Sequence, residues 1–371
     1  ALGYFRAADV MLQKIFSSEA RGSDMDTMVY PILYSIRHGI ELSIKYLLTA
    51  LHAADQSLDL KNIQSHDLSS LWQSLLSNIP FDRRLKEHIE TLHSLVDQID
   101  KADASGQEFR YHLDVEGKKT LEEHCTINLI SVAEILILIQ KEFKKLFWFT
   151  DEIIDERSMG AFTTQFNRQE LRLLSVALPN YSNWTSSREF TDIKQEWISQ
   201  YNLSSRDFCR AVNFIKKHPE FAANIGIESE LIHLTEDDIT SIANAHIHYL
   251  KRRPKSASGF TEYTLGESIP NRAKVNFSSI ASKLSAEAIG EFKAIASIGR
   301  DDGYSENFVS YLNHLTPKDI EVIRIREFDD FFYKLPLLSY LVNGLRKVGC
   351  RKISLEVQRI YDEHISCEQS R

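Results

Sequence analysis

Glycine and proline are scarce in this chain, at 14 and 8 of 371 residues. Leu, Ile, Ala, Glu, Lys and Gln are plentiful, and apolar residues recur at spacings of three and four. That balance predicts an all-α protein and excludes a collagen-like chain. Cysteine is also rare. Cys125, Cys209, Cys350 and Cys367 stand far apart, which excludes a zinc-knuckle or redox pair and suits a reducing, cytoplasmic setting. Positive charge is in deficit: 44 Lys and Arg face 52 Asp and Glu, for a net charge of −8. A protein that coats nucleic acid with its whole surface is thereby excluded, while a local basic site is not. The longest nearly apolar run, LISVAEILILI at 129–139, is broken by Glu134 and is shorter than the about 20 residues a membrane span needs. It reads as a core helix, and no membrane partner is expected. No signal peptide is visible, and because the chain opens on Ala1 a start upstream of it is expected. HExxH, Walker, GxSxG and Rossmann glycine patterns are all absent, so no metal or cofactor is implied.

What is present is length enough for two domains, expected at 1–150 and 151–371, the second with a subdivision near 254–271. The first part reads as long helices. One covers about 3–18. The next runs from Pro31, a residue suited to a first helical turn, to Leu51. HDLSSLWQSLLSNI follows at 66–79, with Ser65 or Asp67 as its cap. Asp82 suits the cap of a helix running to about Asp100. After a polar loop at 101–107, the longest helix is expected from Leu121 to Phe149, with Thr120 and Glu123 as a capping box.

The informative segment is IRHGIELSIKYLL at 36–48. At about 100° per residue, Arg37, His38, Glu41 and Lys45 share one arc while Ile36, Ile40, Ile44 and Leu47 take another. The polar row is either a solvated face laced by ion pairs or part of a polar site. EFRYHLD at 108–114 places Arg110 between two aromatic residues, with His112 and Asp114 close by. Arg110 reads as the partner of Glu41 in a buried pair, or as a fork for phosphate or carboxylate. His66, ahead of an inward-packing Trp72, reads as a structural histidine.

YFRAADVM, IRHGIELSIKYLL, SHDLSSLW and FRYHLD, in that order and spacing and followed by a long helix, resemble a HEPN domain. This is the helical module of prokaryotic toxin, defence and nucleotide-associated proteins, and the resemblance covers about 1–148. It implies a bundle of four or five helices and a homodimer formed through the long helices. It further implies RNA, nucleotide or protein partners. Ribonuclease members of the family carry Arg, four to six residues, then His, paired across a dimer, and cut RNA without a metal. Here the next histidine after Arg110 is His112, followed by His124, and Glu116 stands where histidine is wanted. Formal matches occur instead at Arg83 with His88 and at Arg359 with His364. Arg110 with His112, or Arg83 with His88, are the candidates for charge stabilisation and proton transfer in a cutting enzyme.

The second part carries weaker signals. Residues 194–218 have the outline of a helix-turn-helix whose small core is Trp197, Ile198, Leu203, Phe208, Ala211 and Val212, with Arg206 and Arg210 outward and Tyr201 and Asn202 in place of the usual turn glycine. Basic clusters at Lys251, Arg252 and Arg253, and at Arg346, Lys347, Arg351 and Lys352, are candidates for phosphate contacts, or are simply cations at helix ends. Thr235 with Asp238, and Ser285 alone, suit helix caps. His246 and His248 are two apart, which places them on different helical faces, and DEIIDE at 151–156 lacks calcium-loop spacing. FDDFFYKLPLL at 328–338 reads as core or an oligomer contact. Three functions are therefore in play: a dimeric binding or regulatory module, a metal-independent ribonuclease, and a helix-turn-helix DNA-binding protein.

Overall fold

Every regular element among the described residues is helical. The computed structural model describes residues 1–17, 22–78, 82–103, 127–186, 188–252, 280–315, 332, 334 and 336–369. They divide into two units, Ala1–Gly160 and Ala161–Arg371. The first contains α1 (Leu2–Phe16), α2 (Gly22–Ala54), α3 (Leu68–Asn78), α4 (Lys86–Ala102) and α5 (Leu129–Met159). The second contains α6 (Arg168–Ala177), α7 (Arg188–Tyr201), α8 (Ser205–Lys217), α9 (Pro219–Asn224) and α10 (Glu236–Arg252). It continues with α11 (Ala286–Arg300), α12 (Phe308–Leu315), α13 (Leu337–Lys347) and α14 (Arg351–Gln369).

In the first unit α2 is central. Ile36, Ile40, Ile44, Leu47 and Leu51 recur at helical spacing and are fully buried. Opposite them lie Phe5, Ala8, Leu12 and Ile15 of α1 and Leu136, Ile139, Phe143 and Leu146 of α5. Each such Leu, Ile or Phe contributes about 1.5–3 kcal/mol by leaving water. Gly39 lets α1 come close: a Cβ there would stand 2.6 Å from Phe5 Cε1.

Three boundaries differ from those expected. The helix beginning at Pro31 begins at Gly22, and Pro31 lies inside it. A proline removes one helical N–H, but the buried face that starts at Ile32 and Leu33 carries the helix through. The last helix of the unit begins at Leu129, where Asn128 Oδ1 accepts from Ile130 N at 3.0 Å and Ser131 N at 3.3 Å. Thr120 and Glu123, its expected caps, lie outside the described residues. Its end is not at Phe149 but at Met159, where Gly160 takes φ 80°. The first unit ends at Gly160, directly after this helix. Of the two caps weighed for α3, Asp67 accepts from Ser69 N and Ser70 N, and Asp82 caps the 3₁₀ turn Arg83–Leu85 ahead of α4.

The second unit has two apolar clusters. One joins α6–α9 around Phe166, Leu174, Phe208, Ile215 and Phe221. The other joins α10–α14 around Ile242, Ile289, Phe292, Leu341 and Val357. The segment 254–271, where a subdivision was expected, lies outside the described residues. Helix α11 is buried nearly all round. Its buried acid, Glu291, accepts from Ile232 N, His233 N and Leu234 N at 2.6–2.8 Å, so it fixes the approach to α10. Phe332, Leu337 and Leu338 of the aromatic segment are core.

Candidate functional site

The polar row of α2 is not a solvated face. Arg37 and Glu41 are 3% and 2% exposed. Arg37 Nε donates to Asp103 O at 3.0 Å and Nη2 donates to His66 O at 2.8 Å. Nη1 lies 3.5 Å from Glu41 Oε2, and Nε lies 3.4 Å from Asp103 Oδ2. One buried guanidinium thus ties α2 to the chain ahead of α3 and to the end of α4. Its donors are engaged, so it does not offer a fork to a ligand.

Glu41 gathers the next layer. Lys45 Nζ lies 2.9 Å from Oε1 and His66 Nδ1 lies 2.8 Å from the same oxygen. Burial pushes the Glu41 carboxyl up, but hydrogen bonds from Lys45 and His66 outweigh it and hold the group below its ordinary value. An ionised carboxylate only accepts, so His66 Nδ1–H is the donor to Glu41 Oε1. The His66 side chain is 76% exposed; it is held by the network rather than enclosed in it. His38 stacks on Tyr34 at 5.5 Å and meets Tyr4 edge-on at 4.5 Å. Burial lowers the pKa of His38, against the pull of Glu41. Tyr30, Tyr34, His38 and Lys45 fall within about 80° of the α2 circumference, and Tyr30 is 44% exposed. Arg110, His112 and Asp114 lie outside the described residues, as does the proposed meeting of Arg110 with Glu41.

Neither formal cutting motif forms a pair open to a substrate. Arg83 is exposed, whereas His88 turns inward, 2.7 Å from Glu142 Oε2 and stacked on Phe149. Arg359 is drawn to Glu356 and Glu363, and His364 is buried.

In the second unit, α7 and α8 form the expected pair of helices, joined at Asn202 in the left-handed conformation, φ 51°. Asparagine tolerates this where glycine is usual. Arg206 is exposed, and exposed Arg210 lies 3.3 Å from Asp207. Lys251 is exposed near the end of α10; the Arg252 side chain and Arg253 lie outside the described residues. Arg346 and Lys347 end α13, and Arg351 and Lys352 begin α14. His246 is fully buried beside Tyr249 and Phe332, and no His, Cys, Asp and Glu group suited to a metal occurs among the described residues. No helix there is long and apolar enough to cross a membrane.

A second ionic cluster was invisible in the sequence because its members come from three distant segments. Arg168 reaches Glu220 and Glu306, each at 2.5 Å, over the faces of Phe221 and Tyr304. His218 Nε2 lies 3.0 Å from Glu306. Burial raises the Glu306 carboxyl, but His218 and Arg168 together bring it down to about 2. A carboxyl lowered from 4.5 to about 2 contributes stability that is complete above pH 4.5 and lost as pH falls toward 2. Urea unfolding followed from pH 5 down to pH 2 is expected to show that loss in the parent and a flatter profile in Glu306→Gln. Parallel profiles for the two proteins would remove Glu306 from this role.

No family model, curated protein or solved structure matches this chain.

Proposed function

We propose that the chain is a HEPN-like, dimeric binding module of a prokaryotic defence or toxin-related system, recognising RNA or a nucleotide rather than cutting it. One observation carries the reading: the aromatic and cationic row Tyr30, Tyr34, His38 and Lys45 on the ion-paired α2, with His66 held beside it by Glu41. Stacking on tyrosine and histidine is sequence-tolerant and contributes about 1–3 kcal/mol per base, and lysine supplies the phosphate contact. The inward turn of His88 and the burial of His364 argue against the two formal cutting motifs. Exposed Ile130, Ile137 and Trp148 lie along one side of α5 and support a dimer through the long helix.

A cutting version of the reading rests on His66, an exposed imidazole held by a carboxylate. A DNA-reading version rests on the exposed arginines of α8. One experiment separates them. The full chain is mixed with a labelled single-stranded RNA of about 12 nucleotides, with duplex DNA as competitor, and anisotropy and fragment length are read together. We expect intact RNA, binding that weakens with salt, and at least about a tenfold loss in Tyr30→Ala with Tyr34→Ala. Sedimentation is expected to give a dimer that Ile137→Glu with Trp148→Glu converts to a monomer. Fragments that vanish in His66→Ala would replace this reading with the cutting one. Duplex DNA displacing the RNA would replace it with the third, and no binding at low salt would end it.

A further inference from the structure

The turn between α13 and α14 folds two cations toward α6. Gly349 takes φ 87°, and Cys350 N donates to Leu345 O at 2.8 Å. Arg346 at the end of α13 and Arg351 at the start of α14 thereby line one cleft of about 360 Å³, and Arg172 of α6 lines it as well. Three guanidiniums from three helices meet in one space. Among the described residues, no carboxylate pairs with any of the three. Arg351 Nη1 is placed by neutral groups, 3.3 Å from Asn224 Oδ1 and 3.5 Å from Asn224 O. The acid in the cleft wall, Glu220, is already held by buried Arg168 at 2.5 Å. Arg172 and Arg346 are exposed, and Val176 and Leu355 add an apolar side.

A second observation concerns α14 itself. A helix N-terminus favours acids, yet this one opens on Arg351 and Lys352 with no acid in its first turn. Glu228, from another segment, accepts from Lys352 N at 3.2 Å and answers part of that charge. The positive end of the helix and its two cations add to the field of the three arginines.

We propose that this cleft binds a small phosphorylated molecule with at least two negative charges. Guanidinium forks match phosphoryl oxygens in pairs, and Val176 and Leu355 lie against the less polar body of the ligand. The volume falls in the range of small-ligand pockets, about 300–1,000 Å³. A pocket fits better than a nucleic-acid track because the cations are confined. Lys347, next along, is 3.0 Å from Asp302, and Glu220 and Glu228 close the flanks. The proposal is independent of the reading of the first unit.

The test is titration calorimetry of the full chain with sodium pyrophosphate at low salt. One saturable site is expected. Arg172→Gln and Arg346→Gln, both at exposed positions, are each expected to weaken it by about tenfold, the loss of one charged hydrogen bond. Lys217→Gln, an exposed cation on α8, is expected to bind like the parent, and circular dichroism checks that every variant folds. Absence of saturation, or variants that bind like the parent, would overturn the proposal. So would RNA oligomers that bind through these arginines more tightly with length and are not displaced by pyrophosphate, since the surface would then be a nucleic-acid track.

Discussion

Arg37→Met is expected to cost the first unit about 3–5 kcal/mol, the range for breaking one side of a buried ion pair. Methionine is close to arginine in length and apolar, so the loss is electrostatic rather than a cavity. The carbonyls of His66 and Asp103 lose donors at 2.8 and 3.0 Å. The Asp103 carboxylate, fully buried, loses the cation facing it. Glu41 keeps Lys45 and His66, so the damage concentrates where α2 is tied to the end of α4. Arg37→Lys restores the charge but not the fork, because a single ammonium cannot span the two carbonyls and both acids in the same geometry. It is expected to recover only part of the loss. Urea unfolding at neutral pH, followed by the fluorescence of buried Trp72, reads the effect. A parent-like midpoint for Arg37→Met would mean that the network contributes little and that its residues are held by the apolar core alone.

The Arg37 network also marks how far the sequence could be read. The 3.6-residue period was enough to place Arg37, His38, Glu41 and Lys45 on one arc of a helix and the isoleucines on another. Whether that arc met water depended on residues 29 and 66 positions away from Arg37, His66 and Asp103. Asp103 looked like part of a polar loop because nothing local sets it apart. The all-α class followed from composition and periodicity, and both were summed over many residues. Boundaries depended on single residues and slipped: Pro31 reads as a helix start but lies inside α2, and the α5 cap is Asn128 rather than Thr120. Arg83 and His88 matched a spacing, but the orientation of His88 is decided by Glu142 on another helix. Arg168, His218, Glu220 and Glu306 share no local pattern, and Arg172 was overlooked because its cleft partners lie far along the chain. Glu291 was legible in principle, since an acid flanked by Ile289 and Phe292 on the apolar face of AEAIGEFKAIASIG must find donors to be buried.

Gly344→Ala is expected to destabilise the second unit by more than about 3 kcal/mol, beyond the usual cost of an added methyl in a packed core. Two general rules give opposite signs here. Helix propensity favours alanine over an interior glycine by about 1 kcal/mol. Sterics forbid it, because a Cβ at Gly344 would overlap Ile295 O, and one at Gly299 would overlap Tyr340 O. The obstacle in each case is a backbone carbonyl of the facing helix, which cannot swing aside like a side chain. Helices α11 and α13 must therefore separate, and Ile295, Leu341 and Leu345, all fully buried, lose their packing together. The two glycines serve one close approach, so their effects should not add. Once Gly344→Ala has parted the helices, Gly299→Ala meets less, and the double variant should lose clearly less than the sum of the singles. Gly3→Ala, with nothing within 4 Å of the new methyl, is the control and should leave stability unchanged or slightly raised. Thermal or urea unfolding compares the four variants with the parent. A Gly344→Ala variant as stable as the parent would show that α11 and α13 can move apart without cost, and the tight crossing would then not be what holds this unit together.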